Sequence, residues 1–453
     1  GCLTWEDLLS RADRVPPEEV RRRAAQVRPD DVCNMQYTSG TTGFPKGVML
    51  THRNLMSNCQ HYAPHYPIEP TQNAISYLPL SHILERSVQY SHVYLGVSTY
   101  YVENIGTIMR DVADIKPEHF STVPRVLEKA YVAIMRKGEK LTGFKKKTFN
   151  WAFALAEKYD ETGRNNSIFY RWKLGLARIL VFDEVKKTFG GNLRFFISGG
   201  ASIQPRLVRT FAAMGMPVSE GYGLTETSPV VCTNSLATGV MKAGTVGVPC
   251  ANLEVKTDPE TGEILVKGSS VMKGYYKDEE QTRLAIDENG FFHTGDKGEF
   301  DEDGLLKITG RIKEIFKDSM GKYISPALIE NKFAESVWFN NVMVVGENQK
   351  FASAIISPDF DAIRIWLKDN KGAEYHDMDN SDLARSEDVI SLIDQEIQKV
   401  NRTIGKVEQI ANFYVAPDIW GSDTGELTQT QKLRRKVVAD KYKSAINSIY
   451  GIK

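Results

Sequence analysis

The feature that most constrains the fold is an alternation of short β-rich runs with longer helical stretches, which continues to about residue 235. Runs at 32–37, 74–78 and 193–197 read as strands, and 83–96 reads as a helix. Such alternation is typical of a doubly wound, mostly parallel sheet with helices on its faces. Near Gly244 the pattern changes to short strands with Gly, Asp and Pro turns, which predicts an antiparallel meander or small distorted barrel.

The same patterns predict two domains of unequal size. After Arg311 the sequence returns to mixed helices and strands, so we expect a boundary at 310–313. The fold class is therefore α/β, with a large N-terminal domain of parallel-sheet α/β layers at 1–310. Within it, residues from about 240 to 310 would form a small β-barrel-like subdomain. The remainder, 311–453, would form a smaller α+β C-terminal domain.

Charge and cysteine content exclude several classes of protein. Lys plus Arg is 57 and Asp plus Glu is 57, so the chain lacks the global basic footprint of a nucleic-acid-binding protein. No apolar run approaches the roughly 18 residues that a spanning helix needs, and the N-terminus has no signal-peptide pattern. Five cysteines without a Cys-x-x-Cys pair indicate packed thiols in a reducing compartment. We therefore expect a cytoplasmic protein without a nucleic-acid partner.

One stretch, residues 144–189, is long, helical, aromatic and basic, with three lysines in a row at 145–147. It has two interpretations: a solvated charged face on a surface helical pair, or a helix that lies on a membrane surface. The acids Glu157, Asp160 and Glu161 interrupt the positive charge, so the sequence favours the first interpretation.

The densest group of small and hydroxylated residues follows the first predicted strand, which reads as buried. Glycines let the backbone turn and present N–H groups to an anion, hydroxyls add donors, and a lysine adds a point charge. This composition predicts a loop that cradles phosphates; a flexible hairpin is the alternative. The pattern is not the Walker motif, because Gly47 follows the lysine. The residues of the loop are Thr38, Ser39, Gly40, Thr41, Thr42, Gly43 and Lys46.

A second run, Glu-Gly-Tyr-Gly-Leu-Thr-Glu-Thr at 220–227, follows the strand after the Gly-Gly-Ala of 199–201. Both loops would lie at the carboxyl ends of parallel strands, where open α/β sheets bind ligands. Tyr222 offers a flat face for an adenine, Thr225 a hydroxyl for a phosphate oxygen, and Glu226 a hard oxygen ligand for magnesium. Taken alone, Glu226 would more commonly stabilise a helix start.

Two later segments add polar groups. Asp296, in Phe-His-Thr-Gly-Asp, can accept hydrogen bonds from two ribose hydroxyls, and Arg311 can donate to the same sugar. Each of these alone would read as a turn aspartate or a surface arginine. Lys432 lies in a basic tail, where a lysine is ordinarily a solvated surface charge.

Taken in their order, these motifs resemble those of the adenylate-forming (AMP-binding) superfamily of acyl-CoA synthetases, luciferases and peptide-synthetase adenylation domains. The run from Asn289 to Asp296, continuing to Gly-Lys-Tyr-Ile-Ser-Pro at 321–326, is similar to the long-chain fatty acyl-CoA synthetases. The opening Thr-Trp-Glu-Asp-Leu-Leu and the phosphate-loop run are similar to the medium-chain enzymes. Only 36 residues precede Tyr37, fewer than the family usually carries, so we expect a partial N-terminal domain.

The resemblance implies ATP-dependent activation of a fatty acid to an acyl-adenylate, followed by transfer to coenzyme A, which yields acyl-CoA, AMP and pyrophosphate. It implies ATP, Mg²⁺ and coenzyme A as partners, Lys432, Thr225 and Glu226 as catalytic residues, and Glu226 as the metal ligand. It also implies that the C-terminal domain is mobile about a hinge near Lys313. Beyond the phosphate-loop residues, the implied nucleotide-binding set is Gly199, Gly200, Ala201, Glu220, Gly221, Tyr222, Gly223, Asp296 and Arg311.

Two other functions remain as alternatives. The chain could be an acyl-AMP ligase that loads a carrier protein, or a non-catalytic nucleotide-binding remnant that lacks part of its N-terminal domain. The motifs do not specify acyl chain length or oligomeric state. Because long acyl substrates partition into bilayers, we also expect peripheral contact with the inner face of the membrane.

Overall fold

The computed structural model describes residues 3–38, 45–103, 105–334, 336–371, 375, 378–428 and 431–452. Its strands are β1 Val32–Thr38, β2 Lys46–Thr51, β3 Asn73–Ser76, β4 Ser98–Tyr101, β5 His119–Thr122, β6 Phe195–Ser198, β7 Val218–Gly223, β8 Val230–Thr233, β9 Val248–Pro249, β10 Leu253–Thr257, β11 Glu263–Gly268, β12 Gly274–Tyr275, β13 Phe292–Phe300, β14 Leu306–Arg311, β15 Phe316–Lys317, β16 Tyr323–Ile324, β17 Phe339–Val345, β18 Ala352–Pro358 and β19 Ile410–Val415.

The α-helices fall between these strands. They are α1 Trp5–Leu9, α2 Pro17–Gln26, α3 His52–Tyr62, α4 Ile83–Leu95, α5 Ile108–Ile115, α6 Pro124–Glu139, α7 Gly143–Ala156, α8 Ile168–Ala177, α9 Asp183–Lys187, α10 Pro205–Ala213, α11 Glu279–Ala285, α12 Pro326–Phe333, α13 Phe360–Asn370, α14 Asn380–Arg385, α15 Glu387–Asn401, α16 Arg435–Lys441 and α17 Lys443–Tyr450.

The largest sheet has seven strands in the order β4-β3-β5-β6-β7-β8-β9. The strands from β4 to β7 pair in parallel, and β8 and β9 add an antiparallel edge. Apolar side chains of β5, β6 and β7 pack against α6, α7, α8 and α10 in the largest core, around Phe120, Phe196 and Phe211. The α/β class with a parallel sheet is confirmed.

The β-rich region after Gly244 forms a separate four-stranded antiparallel sheet in the order β10-β11-β13-β14. Gly268 and Gly310, at its strand ends, adopt positive φ. Beyond it, β17, β18 and β19 form a third sheet, which packs with α12, α13 and α15 around a core of its own that includes Phe333 and Ile356. Two hydrophobic cores thus lie on either side of the segment after β14.

The prediction for the first strand was wrong in one respect. We expected a buried strand ahead of the phosphate loop, but of the β1 side chains only Gln36 is buried. β1 pairs antiparallel with β2, and β2 pairs with the distant β12. These strands form their own small sheet outside the parallel one, so β1 has a solvent-facing side.

Candidate active site

The loops that follow β6 and β7 lie at the same edge of the parallel sheet, because Ser198 pairs in register with Glu220. Gly199 is buried beneath the first loop, and Gly200 and Ala201 are exposed on it. Gly200 has a φ of +86°, a left-handed conformation that favours glycine. The two motifs are therefore adjacent in space, as their order on the sheet predicted.

The second loop leaves β7 through a tight turn. A Cβ on Gly223 would lie 1.8 Å from the Pro229 carbonyl oxygen, so a larger residue does not fit there. Gly221 is less crowded: its Cβ would lie 3.5 Å from the Cys232 carbonyl oxygen. A 3₁₀ turn, Thr225–Thr227, follows, and the Thr227 hydroxyl donates to the Pro229 carbonyl at 2.6 Å. This closure fixes the backbone that carries Thr225 and Glu226, both of which are partly exposed.

Asp296 accepts hydrogen bonds from two polar side chains that come from different parts of the chain. The Tyr222 hydroxyl donates to its Oδ2 at 2.8 Å, and Arg311 Nε donates to its Oδ1 at 2.8 Å. β13 and β14 bring the second pair together, since Asp296 and Arg311 are register partners. Burial, together with the nearby Asp296 carboxylate, raises the pKa of Tyr222 well above its usual range, so Tyr222 remains a neutral donor.

Glu220 has a different position from the one that the motif suggests. It is buried, and it accepts a hydrogen bond from the Ile203 N–H at 3.2 Å. Burial raises its pKa to about 8, which favours the neutral acid at pH 7. This side chain supports the loop after β6 from beneath, whereas Tyr222 and Gly223 lie on the partly exposed end of β7.

Lys432 reaches the same place from the far end of the chain. Its Cε lies against Gly200, 3.9 Å from where a Cβ would be, and its N–H donates to Thr428 Oγ1 at 3.0 Å. Part of the residue stays exposed, yet the protein atoms around its ammonium desolvate it and lower its pKa. Arg311 lowers that pKa further, and Asp296 opposes the shift. The lysine is thus close to the loop after β6 and to the Asp296–Arg311 pair.

A second polar cluster surrounds Glu226. The Tyr275 hydroxyl donates to Glu226 Oε1 at 3.0 Å. Lys46 Nζ lies 4.9 Å from the centre of the Tyr275 ring and donates to Gln281 Oε1 at 2.6 Å. Four parts of the chain contribute to this cluster: β12, α11, the first residue of β2 and the turn after β7. The Lys46 ammonium and the Glu226 carboxylate therefore face the same region.

The segment predicted to be the phosphate loop lies between β1 and β2 in the sequence. Thr38 and Lys46 are register partners in that hairpin, which brings the two ends of the loop together. Ser39, Gly40, Thr41, Thr42 and Gly43 lie outside the described residues. Among the loop residues that the structure describes, Lys46 is linked to Glu226 through the Tyr275 side chain, which contacts both.

The described residues contain no group of three or more His, Cys, Asp or Glu side chains that could hold a metal ion by themselves. Glu226 supplies one hard oxygen ligand, which fits the way Mg²⁺ binds through one or two carboxylates together with substrate phosphates and water. A single carboxylate at this position would fit a magnesium ion that takes its other ligands from phosphates and water.

Sequence reasoning missed two members of these clusters. Tyr275 lies in the Gly-Tyr-Tyr run at 274–276, and the pairing of β12 with β2 brings it close to Lys46. Gln281 lies on α11, where no motif marks it. His82 Nδ1 accepts from the Leu84 N–H at 3.3 Å at the start of α4, and burial followed by Lys432 lowers the pKa of His82 to about 4.

A narrow, mainly apolar cavity of about 30 Å³ lies between α3, α4 and the ends of β6 and β8. At one end Leu84 lies against Gly199, whose Cβ would be 3.4 Å from Leu84 Cδ1. At the other end is His92, which contacts His119 at 3.0 Å between their Nε2 atoms. The cavity therefore leads away from the loop that Lys432 contacts. Its walls are formed by Tyr62, Tyr66, Ile68, Leu84, Ser87, Val88, Ser91, His92, Ile197, Pro229 and Val230.

Comparison with solved structures identifies the fold. The adenylation domain of a carboxylate reductase from Mycobacterium chelonae aligns with a TM-score of 0.73 at 21% identity, over 98% of this chain and 67% of that one. The corresponding domain from Segniliparus rugosus, solved with AMP and a co-purified carboxylic acid, gives 0.70 at 21% identity, over 93% and 62%.

Sequence comparison gives the family. The AMP-binding enzyme family matches residues 3–276, and the AMP-binding enzyme C-terminal domain matches 314–452. Long-chain-fatty-acid–CoA ligase FadD15 of Mycobacterium tuberculosis is 34% identical over all of this chain and 74% of its own length. Human long-chain-fatty-acid–CoA ligase 1 is 33% identical over 95% of this chain and 62% of its own length. The chain belongs to the AMP-binding, adenylate-forming enzyme family.

Proposed function

We propose that the protein is an AMP-forming fatty acid–CoA ligase. The observation that carries this proposal is the meeting of Lys432, the Gly200 loop and the Asp296–Arg311 pair, contributed by distant parts of the chain. A fatty acid carboxylate would attack the α-phosphorus of ATP and release pyrophosphate. The thiol of coenzyme A would then attack the acyl carbonyl of the adenylate and release AMP.

The nucleotide would bind across the two clusters. Asp296 and Arg311 would hold the ribose hydroxyls, and Tyr222 would present its ring to the adenine beside the Gly199, Gly200 and Ala201 loop. Thr38 and Lys46, with the glycines, serine and threonines between them, would bind the departing pyrophosphate. Thr225 would donate to a phosphate oxygen. Magnesium, held through Glu226, supplies charge neutralisation at the phosphates when it is bound.

Lys432 would neutralise the charge that develops on the α-phosphate and carboxylate oxygens in the first step. Its partly desolvated ammonium strengthens that interaction, because charges attract more strongly where water is excluded. We further propose that residues 1–310 and 311–453 are the two moving domains, with a hinge near Lys313. Rotation about the hinge would withdraw Lys432 after adenylation and bring the loop around Gly321 toward the bound coenzyme A.

The acyl chain would occupy the cavity between α3, α4 and the sheet. Residues 84 to 92 of α4 span about 12 Å at 1.5 Å per residue. An extended carbon chain advances about 1.25 Å per bond, so this wall covers roughly ten carbons. The cavity of about 30 Å³ has room for only a few waters. A medium-chain acid would therefore require its walls to move apart, and a long-chain acid would also require the end at His92 to open.

The test is fatty-acid-dependent AMP release from ATP, measured with and without coenzyme A, across acids from short to long. Turnover that requires coenzyme A is the expected result, and its optimum fixes the chain length. Acyl-adenylate that accumulates and is transferred only to a carrier protein would favour the acyl-AMP ligase. ATP binding without adenylate formation would overturn the proposal in favour of a non-catalytic nucleotide-binding protein.

A further inference from the structure

The outer face of α8 and the turn after it exposes a continuous apolar surface. The exposed fractions are 80% for Ile168, 77% for Phe169, 69% for Trp172 and 70% for Ile179. Their spacing follows one side of a helix, which continues through a π-helical turn at Arg178–Phe182. We call this surface the α8 stripe; it comprises Ile168, Phe169, Trp172, Leu176, Ile179 and Leu180.

α8 also has a face that packs against the rest of the protein. Leu174 and Ala177, on its opposite side, are buried in the main core, and so is Phe182. The Tyr170 hydroxyl also donates to the Leu155 carbonyl of α7 at 2.8 Å. The helix is anchored by one face, and the stripe is its unpartnered face.

Basic residues border the stripe. Arg171 and Lys173 are exposed, and their positions on the helix put one on each side of the apolar residues. Between residues 162 and 182 every charged side chain is basic. α7, which packs against α8, carries three further exposed lysines at 145–147.

The acids that interrupt this charge in the sequence are engaged elsewhere in the structure. Glu157 forms an ion pair with Arg206, and Glu161 pairs with Arg209 at 3.3 Å. Asp160 Oδ1 accepts from the Thr162 N–H at 2.9 Å. Asp183 and Glu184 lie beyond the end of the stripe, and Glu184 pairs with Lys187. The sequence argument for a solvated charged face therefore fails for α8, whose outer face is apolar with basic edges.

We propose that the α8 stripe is a membrane-docking surface that inserts its apolar side chains into the interface of an anionic bilayer. A helix lying in such an interface characteristically has Trp, Phe and Leu on one face and Lys and Arg bordering it. A protein partner would need an apolar groove with acidic edges, and a second copy of this chain would bring Arg171 and Lys173 against the same cations. An anionic bilayer can bury the apolar side chains of the stripe and attract the basic residues that border it.

Peripheral docking agrees with the length of the helices. Within the part of the chain that the structure describes, no helix is long and apolar enough to cross a membrane. The inference does not depend on the proposed enzymatic function, because docking is measured without ATP, fatty acid or coenzyme A.

The experiment is flotation of the 453-residue protein with vesicles, either of pure phosphatidylcholine or with phosphatidylglycerol added. We expect binding to the anionic vesicles that weakens with salt and is much weaker on neutral ones. The double variant Trp172→Glu, Ile179→Glu should reduce partitioning by about tenfold or more. The matched control is Ile365→Glu, which alters a 53% exposed residue of α13.

A second variant, Arg171→Gln with Lys173→Gln, keeps the stripe and removes its basic edges. Its preference for anionic over neutral vesicles should decrease but not disappear, because the exposed lysines at 145–147 remain. Circular dichroism checks that each variant is folded. The proposal is overturned if the wild-type protein does not float, or if the Trp172→Glu, Ile179→Glu variant floats as well as the control. It is also overturned if light scattering shows a dimer that only the stripe variants dissociate, because the occupant would then be a second copy.

Discussion

At the scale of single residues, Lys432 is the group whose removal separates the two half-reactions. Lys432→Ala should lower the rate of acyl-adenylate formation by at least about 100-fold, because a preorganised cation at the developing charge is lost. Thioester formation from a supplied acyl-adenylate should remain largely intact. Pyrophosphate release and acyl-CoA formation, measured separately, give the two rates.

Lys436→Ala is the matched control for that experiment, since Lys436 is an exposed lysine on the neighbouring α16. It should leave both rates near those of the wild type. A Lys432 variant that loses both half-reactions to the same degree would refute the role assigned to the lysine.

Glu226 makes a second prediction at this scale. Glu226→Ala should raise the magnesium concentration needed for half-maximal turnover by about tenfold or more, because the ion loses its carboxylate ligand. Titration of turnover with magnesium at saturating ATP measures this directly. Glu280→Ala, an exposed acid on α11, provides the control. Unchanged magnesium dependence in the Glu226 variant would exclude it as the ligand.

At the scale of secondary-structure elements, α4 and β5 place two buried histidines in contact. Burial lowers the pKa of His92 to about 4 and, with a contribution from His92, that of His119 to about 3. An unfolded histidine has a pKa near 6.5, so the unfolded chain binds more protons as the pH falls below that value. This contribution to stability is complete above pH 6.5 and is lost as the pH falls toward 4 and then 3.

The free energy of unfolding should therefore decrease by up to about 1.4 kcal/mol per pH unit for each of these histidines in that window. Urea unfolding between pH 7 and pH 4 measures the slope. His119→Asn should make the slope shallower, whatever it does to stability at pH 7. His52→Asn, which alters an exposed histidine on α3, should leave the slope unchanged. Equal slopes for all three proteins would contradict the assignment.

The inner face of α4 also forms a wall of the proposed acyl channel. Val88 is 6% exposed and lines the cavity. Val88→Phe adds bulk there, so the optimum acyl chain length should shorten by several carbons while the KM for ATP stays within about twofold. Steady-state rates across a series of acids give the result. Val93→Phe, at an 83% exposed position on the same helix, is the control. An unaltered chain-length profile would place the acyl chain elsewhere.

At the scale of the whole molecule, local sequence patterns predicted where strands and helices lie better than they predicted which strands pair. The alternation of strands and helices was sufficient to predict the parallel sheet, because successive β-α units determine which edge carries the loops after β6 and β7. Pairing of β2 with β12 depends on segments more than two hundred residues apart, which no local pattern reports. The contact of Tyr275 with Glu226, 49 residues apart, was also missed because it depends on tertiary packing, although Glu226 itself was singled out.

The motifs also identified candidate site residues without predicting where each side chain lies in the fold. Tyr222, Asp296 and Arg311 meet because the ends of β7 and β14 lie beside the middle of β13. Glu220, two residues from Tyr222 in the same motif, would share its face on a regular strand. Its carboxyl group is nevertheless buried and accepts a hydrogen bond from the Ile203 N–H. Burial on this scale depends on packing between elements, which a motif does not encode.

The arrangement that brings Lys432 to Gly200 is also held by contacts between the two proposed domains. Arg136 of α6 pairs with Asp359, ahead of α13, at 3.0 Å, and Arg125 Nη2 donates to Asn340 at 3.3 Å. Both contacts are partly buried, and neither is in the candidate active site. They should therefore stabilise the arrangement in which Lys432 lies against Gly200, relative to one in which the proposed C-terminal domain has rotated away.

Arg136→Gln removes the ion pair and leaves the side chain of Asp359 free to continue capping α13. A partly exposed pair contributes up to about 1 kcal/mol, so adenylate formation should slow by no more than about fivefold. Thioester formation from a supplied acyl-adenylate should be unchanged or faster, because the rotated arrangement becomes easier to reach. Arg164→Gln removes a pair with Asp303 inside the larger domain and should affect neither step. If both half-reactions slowed equally, the pair would support folding and not the balance between the two arrangements.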